Sequence, residues 1–108
     1  MNKKKVARVI KMSASWCRPC KAFTPTFKKA SELPEFKDIE FKSIDIEEDE
    51  SGIVEKLGIR TVPTTVLFDE DDAPIYKVIG NIPFNDFVKI INTALGKEDK
   101  NEEFEEEV

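Results

Sequence analysis

Apolar residues recur along the chain with two periods, and each stretch ends at a recognisable breaker. Val6–Ser13 carries Val6, Val9, Ile10 and Met12 and stops at Ser13-Ala14-Ser15, which predicts a first strand. From Cys17 to about Glu32 the apolar positions Ala22, Phe23, Phe27 and Ala30 follow helical spacing. Pro19 falls in the first turn of that helix, where a missing N–H costs little. Pro25 falls in its middle and predicts a kink. Leu33-Pro34 ends the helix, and Ile39–Ile46, with Phe41 and Ile44, predicts a second strand. The acidic run Glu47–Glu50 reads as a loop, and Ser51–Leu57 as a short helix capped by Gly58. Thr64–Phe68, rich in β-branched and aromatic residues, predicts a third strand. Asp69–Pro74 then reads as a turn and Ile75–Ile79 as a fourth strand, broken by Gly80-Asn81. Pro83–Leu95 places Phe84, Phe87, Val88, Ile91 and Leu95 on one helical face, and Gly96 ends it.

The predicted order is β-α-β-α-β-β-α: a parallel βαβ unit, then a hairpin and a helix. That order gives an α/β domain with helices on both faces of the sheet. Residues 1–96 form one domain on this reading. Residues 97–108 hold too few apolar groups to offset the entropy of ordering, which predicts a disordered acidic tail. Phe104 in that tail reads as an idle residue or as a docking anchor.

Composition changes the picture in two places. The net charge is −5, but residues 97–108 hold seven acids and two lysines, whereas residues 1–96 hold fifteen of each sign. The excess is all in the tail. The body has no global basic surface, which argues against non-specific nucleic-acid binding. No stretch approaches the roughly 20 apolar residues of a membrane span. Met1–Lys5 has three lysines but no apolar run of leader length, so the expected location is cytoplasmic. There, two cysteines point to catalysis or metal binding rather than to a structural disulfide.

The cysteines stand in Trp16-Cys17-Arg18-Pro19-Cys20, where a predicted strand hands over to a helix. Cys17 falls at the helix N-terminus, where unpaired N–H groups and the positive dipole end favour the thiolate, the attacking species. Arg18 adds a positive charge in the same sense. Cys20 lies about one turn on, where it can resolve a mixed disulfide formed at Cys17. A purely structural bridge is a poor alternative, since closing so short a loop stabilises by only about 2 kcal/mol. Zinc usually takes four ligands, and the chain has two Cys and no His, so no metal site is expected unless a dimer supplies Cys₄.

A second segment, Leu57-Gly58-Ile59-Arg60-Thr61-Val62-Pro63-Thr64, completes a pair of motifs. Together with Trp16-Cys17-Arg18-Pro19-Cys20-Lys21 and with Pro25, eight residues beyond Cys17, it makes the chain resemble the thioredoxin family from about Val6 to Leu95. The resemblance implies a minimal thioredoxin-like fold, a four-stranded mixed sheet of order 2-1-3-4 flanked by helices. It implies a cis Val62–Pro63 bond facing the cysteines, and Gly80 lining a substrate groove beside Val62 and Pro63. Trp16 then reads as an apolar platform at the groove, with a core tryptophan as the plainer alternative. Only sixteen residues precede Cys17, so the family's first strand and helix find no counterpart, and Ile39–Ile46 becomes a sheet edge. Glu40 and Lys42 are charges suited to an exposed edge.

Two site positions depart from the family pattern. Lys11 stands where the family has a buried acid that helps move protons at the second cysteine. Lys11 is then partly neutral through burial, or Asp45 or solvent takes the role, or Lys11 merely snorkels to the surface. Arg18 stands where glycine is usual, which by favouring the thiolate favours the reduced form.

The resemblance implies an enzyme that reduces protein disulfides through Cys17 and Cys20, needs no bound cofactor and is recharged by a thioredoxin-reductase-like donor. The expected partners are disulfide-containing proteins, with no nucleic acid and no membrane, and the expected state is a monomer. The main alternative is a thioredoxin-like accessory or binding subunit for a dedicated partner. A glutaredoxin-like reading ranks lower, because Arg18-Pro19 and Gly80-Asn81 replace the patterns typical there. An oxidase or isomerase of an oxidising compartment is a fourth reading, and the lack of a leader-like run at the start counts against it unless the chain is a mature form that has lost one.

Overall fold

The computed structural model of the chain describes residues 6–96. The expected tail, Phe104 included, lies outside the described residues. In order, the elements are β1 (Arg8–Ser13), α1 (Arg18–Ser31), a 3-10 turn (Pro34–Phe36), β2 (Glu40–Asp45), α2 (Ile53–Lys56), β3 (Thr64–Phe68), β4 (Pro74–Ile79) and α3 (Phe84–Ala94). The strands form one sheet of order β2-β1-β3-β4. β1 pairs with β2 in parallel, and with β3 antiparallel, as β3 does with β4. The expected topology and strand order are both present.

β3 is buried at every residue, consistent with a central strand covered on both faces. One face of the sheet meets α1 and α3. There Val9, Leu67, Phe23, Phe27, Ala30, Phe36, Phe87 and Ile91 form the larger core. Phe23 and Phe87 meet edge-on with centroids 5.2 Å apart, and Phe27 stacks on Phe87 at 6.1 Å. These aromatic contacts seat α1, and hence the residues at its N-terminus. On the other face, Ile10, Met12, Val66 and Phe68 pack under Ile44, Ile53, Val54 and Leu57.

Four details differ from expectation. Ala22 is exposed, so the buried stripe of α1 is Cys20, Phe23, Phe27 and Ala30. Residues 34–36 form a 3-10 turn because Pro34 starts a helical turn well at its first position but the segment soon meets β2. The helix expected over 51–57 is only Ile53–Lys56, because Gly52 is left-handed at φ 78° and the turn into the helix is held by Asp49. Its Oδ2 accepts from the Val54 N–H at 3.0 Å and its Oδ1 from the Ser51 N–H at 2.9 Å. Gly58, at φ 67°, ends α2: its N–H donates to the Glu55 carbonyl, and the Ile59 N–H donates to that of Val54. β4 begins at Pro74, one residue early, as the sheet tolerates proline at a strand's first position on an edge. Among the described residues no helix is long and apolar enough to cross a membrane.

The register fixes the functional region. Met12 pairs with Thr64, so the exit of β1 lies beside the entry of β3. The segment leading from β1 to Cys17 and the segment ending at Pro63 therefore leave the same end of the sheet.

Candidate functional site

Cys17 is the N-cap of α1, extended at φ −91° and ψ 109°, with Pro19 in the first turn. Its Sγ accepts a hydrogen bond from the Cys20 N–H at 3.1 Å. An acceptor at this place satisfies one of the donors that every helix start leaves open. The first turn contains no acidic residue, and Arg18 is exposed there. Both features leave the positive end of the helix uncompensated at the sulfur.

Cys17 and Cys20 are joined as a disulfide with Cα atoms 5.2 Å apart, and both are buried. Ala14, Ile46 and Val62 pack around them. The Val62–Pro63 bond is cis, as the resemblance implied. Cys17 Sγ lies 3.6 Å from the Val62 carbonyl oxygen. The loop is closed from within by Thr64, whose hydroxyl donates to the Thr61 carbonyl at 2.6 Å. From the other side, the Gly80 N–H donates to the Pro63 carbonyl at 2.8 Å. Gly80 holds φ 97°, a left-handed conformation that side chains disfavour, while the space around its α-carbon is open. Glycine is needed there for backbone conformation rather than for clearance.

Trp16 is 63% exposed, so the core-tryptophan alternative does not hold. Its Nε1 donates to Glu47 Oε2 at 2.8 Å, and the Glu47 N–H donates to Asp45 Oδ1 at 2.8 Å. Glu47 was legible only as part of an acidic loop. No local pattern marks it as the partner of an indole thirty-one residues away.

For Lys11 one of the alternatives falls away. It is 5% exposed and does not snorkel to the surface. The register places its side chain on the helix-covered face of the sheet, beside α1. There Nζ donates to Thr24 Oγ1 at 3.2 Å and sits 5.0 Å over the Phe27 ring. Burial lowers its pKa from the usual 10.5, because desolvation penalises the charged form. Asp45 lies along β2 on the same face by register, and its carboxylate is engaged by the loop it caps. The structure thus brings together Trp16, Cys17, Cys20, Val62, Pro63 and Gly80, with Arg18 and Pro19 exposed at the rim and Lys11 beneath.

The Thioredoxin family profile matches residues 1–93. The chain belongs to the thioredoxin family. It is 39% identical over 75 residues to Thioredoxin Asp f 29 of Aspergillus fumigatus, covering 69% of this chain and 66% of that protein. It is 32% identical over 84 residues to a thioredoxin of Mycoplasma genitalium, covering 78% of each. Among solved structures, the thioredoxin Mala s 13 of Malassezia sympodialis superposes with a TM-score of 0.73 at 31% identity, over 85% of this chain and 78% of that one. The chain spans about two thirds of the length of the fungal relative and under half of a plastid F-type thioredoxin of pea.

In this thioredoxin-family chain the Cys-x-x-Cys pair stands at a helix start and at disulfide distance, an arrangement that suits thiol–disulfide exchange. The relatives carry thioredoxin names, and the reading as a non-catalytic accessory subunit is not favoured beside them.

Proposed function

We propose that the chain works in the reducing direction on disulfides of protein substrates. Cys17 is the nucleophile and Cys20 the resolving thiol. The supporting observation is the placement of Cys17 Sγ between the Cys20 N–H and the Val62 carbonyl. The N–H stabilises negative charge on the sulfur, and the cis-proline loop borders it on the open side.

In the cycle, the Cys17 thiolate attacks one sulfur of the substrate disulfide. A Cys17–substrate disulfide forms, and the other substrate sulfur leaves as a thiolate that takes a proton. The Cys20 thiol then gives up its proton and attacks Cys17 Sγ. The Cys17–Cys20 bond forms, and the second substrate thiolate leaves and is protonated. Two electrons pass from the dithiol to the substrate. An extended substrate strand pairs with backbone groups of Val62, with Trp16, Pro63 and Gly80 flanking it. A thioredoxin-reductase-like donor returns the electrons, and the working state is a cytoplasmic monomer.

Insulin disulfide reduction with dithiothreitol as electron source tests this, wild type beside Cys17→Ser. Acceleration by wild type alone supports the assignment. A folded wild type that accelerates no more than the variant refutes general reductase activity and leaves a dedicated partner as the substrate.

A further inference from the structure

Lys11 is a buried cation that the cycle above does not use. Its surroundings are spare. Among the described residues Nζ has one oxygen partner, Thr24 Oγ1, and one aromatic face, Phe27. No carboxylate among the described residues forms an ion pair with it. The groups that the adjoining elements offer are uncharged: Ser43 at the paired position of β2, Thr65 at the paired position of β3, and Thr24 on α1. Asp45, one step further along that face of β2, is the nearest acid by register, and it accepts from the Glu47 N–H. Thr65 Oγ1 is itself buried with no hydrogen-bond partner among the described residues.

The one strong link runs toward the redox pair. Thr24 stands one helical turn after Cys20, and its hydroxyl donates to the Cys20 carbonyl at 3.1 Å while accepting from Lys11. A buried charge with no counter-ion is costly, and such a charge is worth its cost where an anion forms nearby. Cys20 becomes that anion when it resolves the mixed disulfide.

We propose that Lys11 is a positioning residue for the resolving step: held by Thr24, its ammonium keeps a positive charge behind Cys20 and stabilises the Cys20 thiolate as it forms. The field acts only on the open, dithiol or mixed-disulfide forms, because the closed disulfide carries no charge. The proton lost from Cys20 passes through solvent to the departing substrate thiolate, and Lys11 keeps its own.

The inference rests on Cys20 being the resolving thiol, and its test separates the two. Cys17 is loaded as a mixed disulfide with 5-thio-2-nitrobenzoate, and release of the coloured thiolate is followed by stopped flow across pH. Wild type releases it and Cys20→Ser does not if the assignment of Cys20 is correct; equal release by both overturns that assignment, and the role of Lys11 with it. Lys11→Met and Lys11→Gln remove the charge at similar length. Both are expected to release about threefold more slowly at pH 7 and to raise the pH midpoint by about half a unit. That is the order of effect expected of one unit charge, reaching Cys20 through Thr24, in a medium between water and protein interior. Thr24→Val, which frees the ammonium from its anchor, falls between them and wild type. A purely structural Lys11 would leave the midpoint in place. A midpoint in either folded neutral variant within a tenth of a unit of wild type overturns the proposal while the assignment of Cys20 stands.

Discussion

Replacing Arg18 by glycine should make the redox pair a stronger reductant by an amount set by its exposure. Arg18 follows Cys17 directly and is solvent-exposed, whereas the Cys17 sulfur is in a residue only 4% exposed. A guanidinium about 7 Å from a thiolate contributes about 0.6 kcal/mol in a water-like medium, and roughly twice that where burial of the sulfur halves the effective dielectric constant. The contribution exists only in the reduced form, since the disulfide is neutral. Removing it shifts the equilibrium toward the disulfide and the potential to more negative values by about 10–25 mV, since 30 mV corresponds to about 1.4 kcal/mol. Titration of both proteins against a glutathione buffer measures the shift. It should shrink strongly between low ionic strength and 1 M salt, where the Debye length falls to about 3 Å. Arg18→Gln serves as control, because it removes the charge without adding the backbone freedom of glycine. Equal potentials at low salt would refute the electrostatic argument. A shift seen in Arg18→Gly but not in Arg18→Gln would assign the effect to the backbone instead.

Two further outcomes follow from the core and from Lys11. Phe87→Ala empties a site with no exposed surface between Phe23 and Phe27 and should cost about 3–5 kcal/mol, read as a lowered urea midpoint with unchanged slope. A loss below about 1 kcal/mol would mean that α1 and α3 close over the gap. Lys11 has a folded-state pKa below its usual 10.5, so the unfolded chain binds more protons between those two values. Stability should therefore rise with pH through that window, relative to Lys11→Met. The wild type should gain on the variant as pH approaches 10.5, and parallel urea midpoints across that range would contradict the burial of the charge.

The parts of the fold that were legible in the sequence are those in which pattern and burial coincide. Thr64–Phe68 is all β-branched or apolar and is buried throughout, and the Phe23, Phe27, Ala30 stripe is the face that α1 presents to the core. The redox pair and the cis-proline loop were legible because two motifs carried them in fixed order. Ala22 misled because a small apolar residue costs little at the surface, so periodicity alone cannot place it. The late start of α2 escaped because it depends on the left-handed turn at Gly52 and on Asp49, a side chain outside the helix. The burial of Lys11 and the Trp16–Glu47 bond depend on contacts thirteen and thirty-one residues apart. Charge is read from sequence as surface, and only packing against Thr24 and Phe27 reveals the exception.

The pairing of Met12 with Thr64 has a consequence for how the molecule breathes. Both halves of the redox site hang from β1 and β3, the two strands with neighbours on each side. Amide protons in β2 and β4 can exchange by fraying of an edge, whereas those of the middle pair require most of the sheet to open. Excursions at the edges therefore leave the two cysteines facing Val62. Loss of the site's geometry is tied to global opening, and amide exchange at Met12 and Thr64 measures how often the site itself comes apart.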